Sequence, residues 1–229
     1  MKAMILAAGR GERMRPLTDT TPKPLLKVGG KALIVWHLEH LARAGFTEVV
    51  INHAWLGALV EAALKTDAPK SLGITYSPEG DALETAGGIA NALPLITTRD
   101  EPFLVINGDI WCDFDVGRAA TIAQQMLAVN QLAHLVMVPN PPQHSEGDFA
   151  LEGGRVFDDR KPCFTFSGIG LYRPALFGSV VRGTKARLAP LLRAAMLDSR
   201  VGGEMHRGAW EDVGTPERLA TLNQALTGR

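Results

Sequence analysis

Residues 6–26, LAAGRGERMRPLTDTTPKPLL, decide the fold of this 229-residue chain. They continue an apolar run that begins at Ala3, which predicts a buried β-strand ending at Gly9. The loop that follows combines two glycines with four cations: Gly9, Gly11, Arg10, Arg13, Arg15 and Lys23. Glycines let backbone N–H groups approach a ligand closely, and the cations complement its negative charge. The stretch therefore predicts a binding site for a nucleoside triphosphate.

Two common phosphate-binding loops do not fit this stretch. A Walker A loop needs G-x-x-x-x-G-K-[ST], whereas the Gly30-Lys31 pair is followed by Ala32. The Rossmann fingerprint needs a third glycine where Met14 stands, and the chain runs on into Pro16 instead of a helix. At this point an ordinary strand-to-loop turn with solvated arginines remains the plainest alternative.

The composition suits a globular protein that binds a small anion. Hydrophobic residues make up 46% of the chain, enough for one sizeable domain. Lys+Arg and Asp+Glu both number 24, and this zero net charge disfavours nucleic acid as a partner. Cys112 and Cys163 lack C-x-x-C spacing, which favours reduced thiols over a disulfide or zinc site. The N-terminal apolar run is too short for a signal peptide, and no run is long enough for a membrane span, so we expect a cytoplasmic protein with no membrane partner.

Short apolar runs alternate with helical patterns through the first half of the chain. Strands are predicted at residues 4–8, 48–52, 74–77, 103–107 and 134–139, and helices at 32–44, 56–65, 87–93 and 116–129. This alternation predicts a Rossmann-like α/β fold with a mixed, mostly parallel sheet and helices on both faces. Ligands of such sheets bind beyond the carboxyl ends of the strands, where the Gly9 loop and the Gly108-Asp109 pair fall.

The pattern changes after Pro139. A hairpin is predicted at residues 150–157, a strand at 164–173, and helices at 188–197 and 216–226. We expect one domain over residues 1–229, with a nucleotide-binding half at about 1–139 and a sugar-binding half at about 140–229. The sequence ends soon after Leu219, so no C-terminal β-helix is expected.

Three further segments extend the pattern of the opening stretch: LETAGGI (83–89), VINGDI (105–110) and WEDVGTPERL (210–219). Together with residues 6–26 they resemble the motifs of sugar-1-phosphate nucleotidylyltransferases from the first strand to the last helix. That family has the nucleotide-diphospho-sugar transferase fold. The small size, FSGIGLYR (166–173) and the WEDVGTPERL ending are most similar to the branch that moves a uridylyl group from UTP to a muramate 1-phosphate in peptidoglycan recycling.

The resemblance implies attack by a sugar 1-phosphate on the α-phosphorus of UTP, with release of pyrophosphate. Arg13 and Lys23 are the implied catalytic residues; Arg13 would hold the β- and γ-phosphates, and Lys23 the α-phosphate or the incoming one. Asp109 and Asp212 are the implied ligands of Mg²⁺, which prefers hard oxygen donors. The implied nucleotide-binding residues are Ala8, Gly9, Gly11, Glu12, Arg13, Lys23, Glu79, Gly80, Thr85, Gly87 and Asp109.

Specificity is less constrained by the sequence. Glu79 could accept the N3–H of uracil or the donors of guanine equally well. The residues nominated for the acceptor sugar are Asn107, Asn140, Gly147, Asp148, Glu152 and Gly168. A cation should face the carboxylate of muramate, and the candidates are Arg155, Lys161, Lys185, Arg187 and Arg207.

Several alternatives stay open at this stage. The same chemistry could use GTP with mannose 1-phosphate, or CTP with phosphocholine, and a regulatory subunit could bind nucleotide sugars without turnover. Asp113-Phe114-Asp115 imitates the D-x-D motif of glycosyltransferases, although turn-forming aspartates are common after a strand. His37 and His40 have helical i, i+3 spacing, for which we expect packing or solvation and not metal binding.

Overall fold

The computed structural model describes residues 1–228 and has alternating strands and helices. The helices are α1 (Leu33–Arg43), α2 (Gly57–Asp67), α3 (Glu84–Ile96), α4 (Ala119–Ala128), α5 (Leu188–Leu197) and α6 (Pro216–Thr227). The strands are β1 (Ala3–Leu6), β2 (Lys27–Val28), β3 (Lys31–Ala32), β4 (Glu48–His53), β5 (Gly73–Pro78), β6 (Phe103–Asn107), β7 (Ile110–Cys112), β8 (Ala133–Val138), β9 (Phe149–Glu152), β10 (Arg155–Phe157), β11 (Cys163–Tyr172), β12 (Val201–Met205) and β13 (Trp210–Asp212). No helix within residues 1–228 has the length and apolarity needed to cross a bilayer.

The central sheet of the described residues has nine strands in the order β5-β4-β1-β6-β11-β8-β12-β10-β9. The first four are parallel, β11 runs antiparallel between β6 and β8, and β12 is parallel to β8. Seven of the nine strands point the same way, while β10 and β11 are reversed. The predicted mixed, mostly parallel sheet is therefore confirmed.

Helices cover both faces because successive strand residues point to opposite sides. In β1, Ala3 and Ile5 join the core under α1, α2 and α4, whereas Met4 joins the core under α3 and α5. A third, smaller core lies beside the sheet and includes Leu222 of α6. It also includes Met14 of residues 7–26, the segment after β1 that is named the phosphate loop for its predicted role. The phosphate loop is thus anchored by apolar packing at its centre.

In this smaller core, the C-terminal helix α6 packs beside the phosphate loop and the β2–β3 ribbon. α6 begins at Pro216, and the Thr215 hydroxyl caps it by accepting from the Arg218 N–H at 3.4 Å. Asn223 of α6 accepts the N–H of Gly29 at 2.9 Å, in the turn between β2 and β3. β13 pairs with β7 in a two-stranded ribbon, which brings the WEDVGTPERL segment beside Asp109.

Each strand and helix predicted above is present with bounds shifted by a few residues, and α5 and β6 match their predicted bounds. The predicted helix at 116–129 begins as a 3-10 turn, Val116–Arg118, that continues into α4. Three features were not predicted: the β2–β3 ribbon, the β7–β13 ribbon, and β12 within the main sheet. Strands from both predicted halves share one sheet, since β8 lies between β11 and β12.

Candidate active site

A cleft opens at the carboxyl ends of β1, β4, β5 and β6, where the sequence placed the ligand. Two adjoining cavities form it. The nucleoside-side cavity is lined by residues that include Ala8, Gly9, Lys23, Asn52, Glu79, Glu84, Thr85, Asn107 and Asp109. The phosphate-side cavity is lined by Gly9, Arg10, Gly11, Glu12, Arg13, Met14, Lys23, Asp109 and Gly214. Gly9, Lys23 and Asp109 belong to both, so they mark the point where the cavities meet.

Lys23 and Asp109 form an ion pair at this junction. Lys23 Nζ donates to Asp109 Oδ2 at 2.6 Å, and the Lys23 side chain is only 7% exposed. A charged group this buried requires a partner, which the 39% exposed Asp109 provides. Asp109 remains accessible from the cleft, so its second oxygen can face a ligand.

The phosphate loop is shaped by close packing around Gly11. Its φ of +67° lies in the left-handed region, and a Cβ there would stand 3.0 Å from Thr18 Cγ2 and 3.2 Å from Lys23 Cβ. Met14 N–H closes the turn on the Gly11 carbonyl at 2.9 Å. These contacts seat Lys23 against the loop and leave the Arg13 side chain exposed at the phosphate-side cavity.

The four loop cations have different partners. Arg10 lies over the ring of Trp55 with its Cζ 4.5 Å from the centroid, and Arg15 pairs with Asp19 at 2.9 Å. Arg13 has no ion-pair partner within residues 1–228. Arg13 is therefore free to face a phosphate in the phosphate-side cavity, and its role in holding one stays a prediction.

Asp212 lies beside Asp109 because the β7–β13 ribbon aligns them. Asp212 is opposite Ile110 in the ladder, and the Val213 N–H donates to the Asp109 carbonyl at 3.1 Å. The Asp212 carboxylate accepts from Arg218 Nη1 at 2.8 Å. Asp109 thus lines both cavities, whereas Asp212 lies on the adjacent strand with its carboxylate paired to Arg218. Its place as a metal ligand stays a prediction.

The nucleoside side is organised around Glu79. Its Oε1 accepts from Asn52 Nδ2 at 2.6 Å, and its Oε2 accepts from the Leu83 N–H at 2.8 Å. Thr85 also lines this cavity, and Gly80 follows Glu79 directly. Gly87 instead supports the packing of α3, since its N–H donates to the Ala186 carbonyl and a Cβ would stand 2.4 Å from the Thr184 carbonyl oxygen.

Among the residues nominated for the sugar, Asn107 lines the cleft, and Gly168 packs against the Asn107 side chain. Gly168 has a φ of +84°, and a Cβ there would come within 2.7 Å of Asn107 Nδ2. The glycine therefore leaves room for Asn107 to keep its place. Both residues remain predicted contributors to the acceptor site.

Asn140 and Asp148 hold the segment that follows β8. Asn140 Nδ2 donates to the carbonyls of Ser145 and Cys163, and its Oδ1 accepts from the Thr165 hydroxyl. Asp148 accepts from the Phe166 N–H at 2.8 Å. Gly147 packs tightly on Asn140 and on the backbone of β11, and Glu152 pairs with Arg160 on the surface. These contacts hold the segment between β8 and β11 in place. None of the four residues lines the two cavities of the cleft, and a direct sugar contact stays a prediction.

The two aspartates of the D-x-D imitation and His37 have structural roles. Asp115 caps the turn before α4 by accepting the Gly117 N–H at 2.9 Å, and Asp113 accepts from His206 Nε2 at 2.8 Å. His37 is buried with Nε2 2.8 Å from the Ile110 carbonyl, so it packs as expected.

Cys112, Asp113 and His206 lie close enough together to form a metal ligand group. However, burial raises the pKa of the Cys112 thiol to about 12, which opposes the thiolate that a metal needs.

Comparison with known proteins agrees with this geometry. The family model described as nucleotidyl transferase matches residues 2–149. The N-acetylmuramate alpha-1-phosphate uridylyltransferase of Neisseria meningitidis serogroup B is 54% identical over 232 residues, covering 100% of this chain and 99% of the relative. The chain belongs to the nucleotidyl transferase family. A second relative of the same name, from Caulobacter vibrioides, is 34% identical and covers 94% of this chain and 92% of its own. A candidate glucose-1-phosphate thymidylyltransferase from Bacillus anthracis, solved with sucrose, shares the fold with a TM-score of 0.83 at 19% identity, covering 100% and 96% of the two chains.

Two residues of this nucleotidyl transferase site were not predicted from the sequence. Asn52 is 2% exposed at the end of β4 and bonds to Glu79, which is 27 positions away. Arg218 pairs with Asp212 from the first turn of α6. The apolar run EVVIN ends on Asn52, and a polar residue at the carboxyl end of a parallel strand is a signal that could have identified it.

Proposed function

We propose that this chain transfers the uridylyl group of UTP to N-acetylmuramate α-1-phosphate, forming UDP-N-acetylmuramate and pyrophosphate. The substrates follow the name of the relative from N. meningitidis, which matches along the whole chain. One geometric observation carries the reaction class: Lys23 Nζ lies 2.6 Å from Asp109 Oδ2 where the two cavities meet. A nucleoside triphosphate that spans both cavities would have its α-phosphate at this junction.

The acceptor needs no general base. A phosphate monoester has a second pKa of about 6, so the attacking oxygen is already ionised at neutral pH. The protein therefore has to align two anionic groups and to neutralise the charge that develops during transfer. Lys23 would act at the α-phosphate or at the incoming phosphate, and the exposed Arg13 would hold the β- and γ-phosphates that leave as pyrophosphate.

The carboxylates of Asp109 and Asp212 fit a magnesium ion. Enzymes of this family generally use a divalent metal, and Mg²⁺ takes one or two protein carboxylates together with substrate phosphates. Asp109 lines the phosphate-side cavity, Asp212 lies on the strand paired next to it, and each carboxylate is balanced by a cation of the protein. When bound there, Mg²⁺ would offset the negative charge of the triphosphate. Lys23 and Arg218 would then be released to face phosphate oxygens.

The acceptor sugar would bind in the half formed by residues after 139, beside Asn107 and Gly168. Apart from Asn107, residues 1–139 would then serve the nucleotide. We place the reaction in the cytoplasm, where UDP-N-acetylmuramate would return a cell-wall sugar to peptidoglycan synthesis.

A substrate grid tests the proposal. UTP, GTP, CTP and dTTP are each combined with the 1-phosphates of N-acetylmuramate, glucosamine, glucose and mannose, CTP is also combined with phosphocholine, and pyrophosphate release is measured with Mg²⁺ present. We expect the highest kcat/KM with UTP and N-acetylmuramate 1-phosphate. A higher value for another pair would overturn the substrates but retain the reaction class. Absence of turnover with every pair would favour a regulatory subunit.

A further inference from the structure

We propose that Asn52 sets the base preference of the site by holding Glu79 as an acceptor-only group, so that the pocket takes a base with an N–H at the centre of its pairing edge. Uracil, with its N3–H, is such a base, whereas cytosine presents a bare nitrogen at the same position. The inference deepens the proposed function, because it assumes that a nucleobase occupies the cavity lined by Asn52 and Glu79.

The orientation of the Asn52 amide follows from its neighbour on β1. Asn52 Oδ1 accepts from the Ala7 N–H at 2.8 Å, and a backbone N–H can only donate. The amide nitrogen must therefore point the other way, where it donates to Glu79 Oε1 at 2.6 Å. The parallel ladder places Asn52 opposite Leu6, directly before Ala7, which fixes the distance between the two strands.

Glu79 consequently faces a donor at each oxygen. Asn52 Nδ2 donates to Oε1, and the Leu83 N–H donates to Oε2 at 2.8 Å. A glutamine at this position would turn its own NH₂ toward one of these donors in either orientation. A carboxylate satisfies both neighbours, and its remaining lone pairs accept from a ligand.

Close packing keeps this arrangement in place. Asn52 is 2% exposed, and α3 approaches it through Gly88. A Cβ on Gly88 would stand 2.5 Å from Glu79 Oε1 and 2.8 Å from Asn52 Nδ2. Asn52 thus joins the start of the phosphate loop, through Ala7, to the carboxylate that faces the base.

The test measures binding of UTP and CTP by calorimetry, with Mg²⁺ present and no acceptor, in the wild type and three variants. Asn52→Asp keeps the acceptor for Ala7 but replaces the amide donor by a carboxyl group, which can stay beside Glu79 only if the pair shares a proton. Glu79→Gln replaces one of the two carboxylate acceptors by an NH₂ donor. We expect the wild type to bind UTP at least about tenfold more tightly than CTP, and each single variant to lose most of this ratio.

The double variant Asn52→Asp/Glu79→Gln gives the sharpest result. The new glutamine amide can donate to the new aspartate while the glutamine oxygen accepts from the Leu83 N–H, so the hydrogen bonds are complete again with donor and acceptor exchanged. The second N–H of that glutamine is then free to donate, which suits the bare N3 of cytosine. We expect the double variant to recover the thermal unfolding midpoint lost in the single variants, and to bind CTP at least as tightly as UTP.

Asn91→Ala is the matched control, since the Asn91 amide reaches Ser77 Oγ at 3.4 Å and not Glu79. It should leave the UTP to CTP ratio within about twofold of the wild type. An unchanged ratio in both single variants would overturn the role of Asn52, as would a double variant that still prefers UTP. If the wild type binds neither nucleotide, the proposed function itself fails. If it binds UTP but does not use N-acetylmuramate 1-phosphate, only the acceptor is wrong.

Discussion

Asp109 and Asp113 are four positions apart, yet their carboxylates have different surroundings. Asp109 faces the cleft and pairs with the buried Lys23, whereas Asp113 bonds to His206 outside the two cavities. Asp109→Asn would leave Lys23 with a neutral partner and remove one of the proposed metal ligands. We expect kcat to fall by about a hundredfold or more, measured as pyrophosphate release, because electrostatic groups of this kind carry such factors.

Asp113→Asn is the control for this prediction. The substitution keeps the shape of the side chain and an acceptor for His206, so activity should stay within about threefold of the wild type. Equal losses in the two variants would mean that the metal site has been placed at the wrong aspartate.

The loop arginines give a second prediction at this scale. Arg13 is exposed to the phosphate-side cavity without an ion-pair partner among residues 1–228, while Arg15 is paired with Asp19. Arg13→Ala should therefore reduce kcat/KM for UTP by about tenfold to a hundredfold, since a charged hydrogen bond contributes about 1.5–3 kcal/mol. Arg15→Ala should change it by less than about threefold. A larger effect of Arg15→Ala than of Arg13→Ala would show that Arg15, and not Arg13, holds the β- and γ-phosphates.

Strands and helices with a regular pattern of apolar residues were predictable from the sequence. Strands that depend on contacts with residues far away in the sequence were not. FLVIN and the run LAPLLRAAML predicted β6 and α5 at their observed bounds. β12 has the sequence VGGEM, whose two glycines do not indicate a strand. The two glycines are needed because other residues lie very close to them: a Cβ on Gly202 would stand 2.4 Å from the Gln131 side chain, and a Cβ on Gly203 would stand 2.6 Å from the Val156 side chain. Such close approaches depend on tertiary packing, which a local pattern does not contain.

The same limit applies to the site. Arg13, Lys23 and Asp109 were nominated because they stand in motifs that resemble those of the family, and the structure places all three at the cleft. Asn52 and Arg218 were not nominated, because each makes its contact with a residue on another element. Asn140 and Asp148 were nominated for the acceptor sugar, and their hydrogen bonds to the backbone of β11 give a structural reason for polar residues at these positions.

The packing of α1 on β7 predicts a dependence of stability on pH. Burial lowers the pKa of His37 from its ordinary 6.5 to about 4, against a smaller opposing effect of the hydrogen bond to the Ile110 carbonyl. The folded protein therefore binds fewer protons than the unfolded chain between these values. The free energy of unfolding should fall as the pH drops from 6.5 toward 4, by up to about 3 kcal/mol.

Urea unfolding at several pH values in this range measures the effect. In His37→Leu the group is absent, so the slope of unfolding free energy against pH should be shallower than in the wild type, even though the variant loses some stability at neutral pH. His144→Gln, at an exposed histidine beside Asp148, should keep most of the wild-type slope. An unchanged slope in His37→Leu would show that His37 is not the titrating group.

At the scale of the whole molecule, the two halves share one sheet and should unfold together. β8, the last strand before residue 139, lies between β11 and β12 of the second half, and β11 also pairs with β6. Trp210 of β13 adds a link between the halves, since it pairs with Cys112 of β7 and its indole N–H donates to the Ser167 carbonyl of β11 at 2.8 Å. We expect a single urea transition, with coincident curves from tryptophan fluorescence and far-ultraviolet circular dichroism.

The fragment 1–139 would expose both edges of β8 and one edge of β6, and it should not fold cooperatively. Two separate transitions, or a fragment 1–139 that unfolds cooperatively, would show that the nucleotide-binding half is an independent domain.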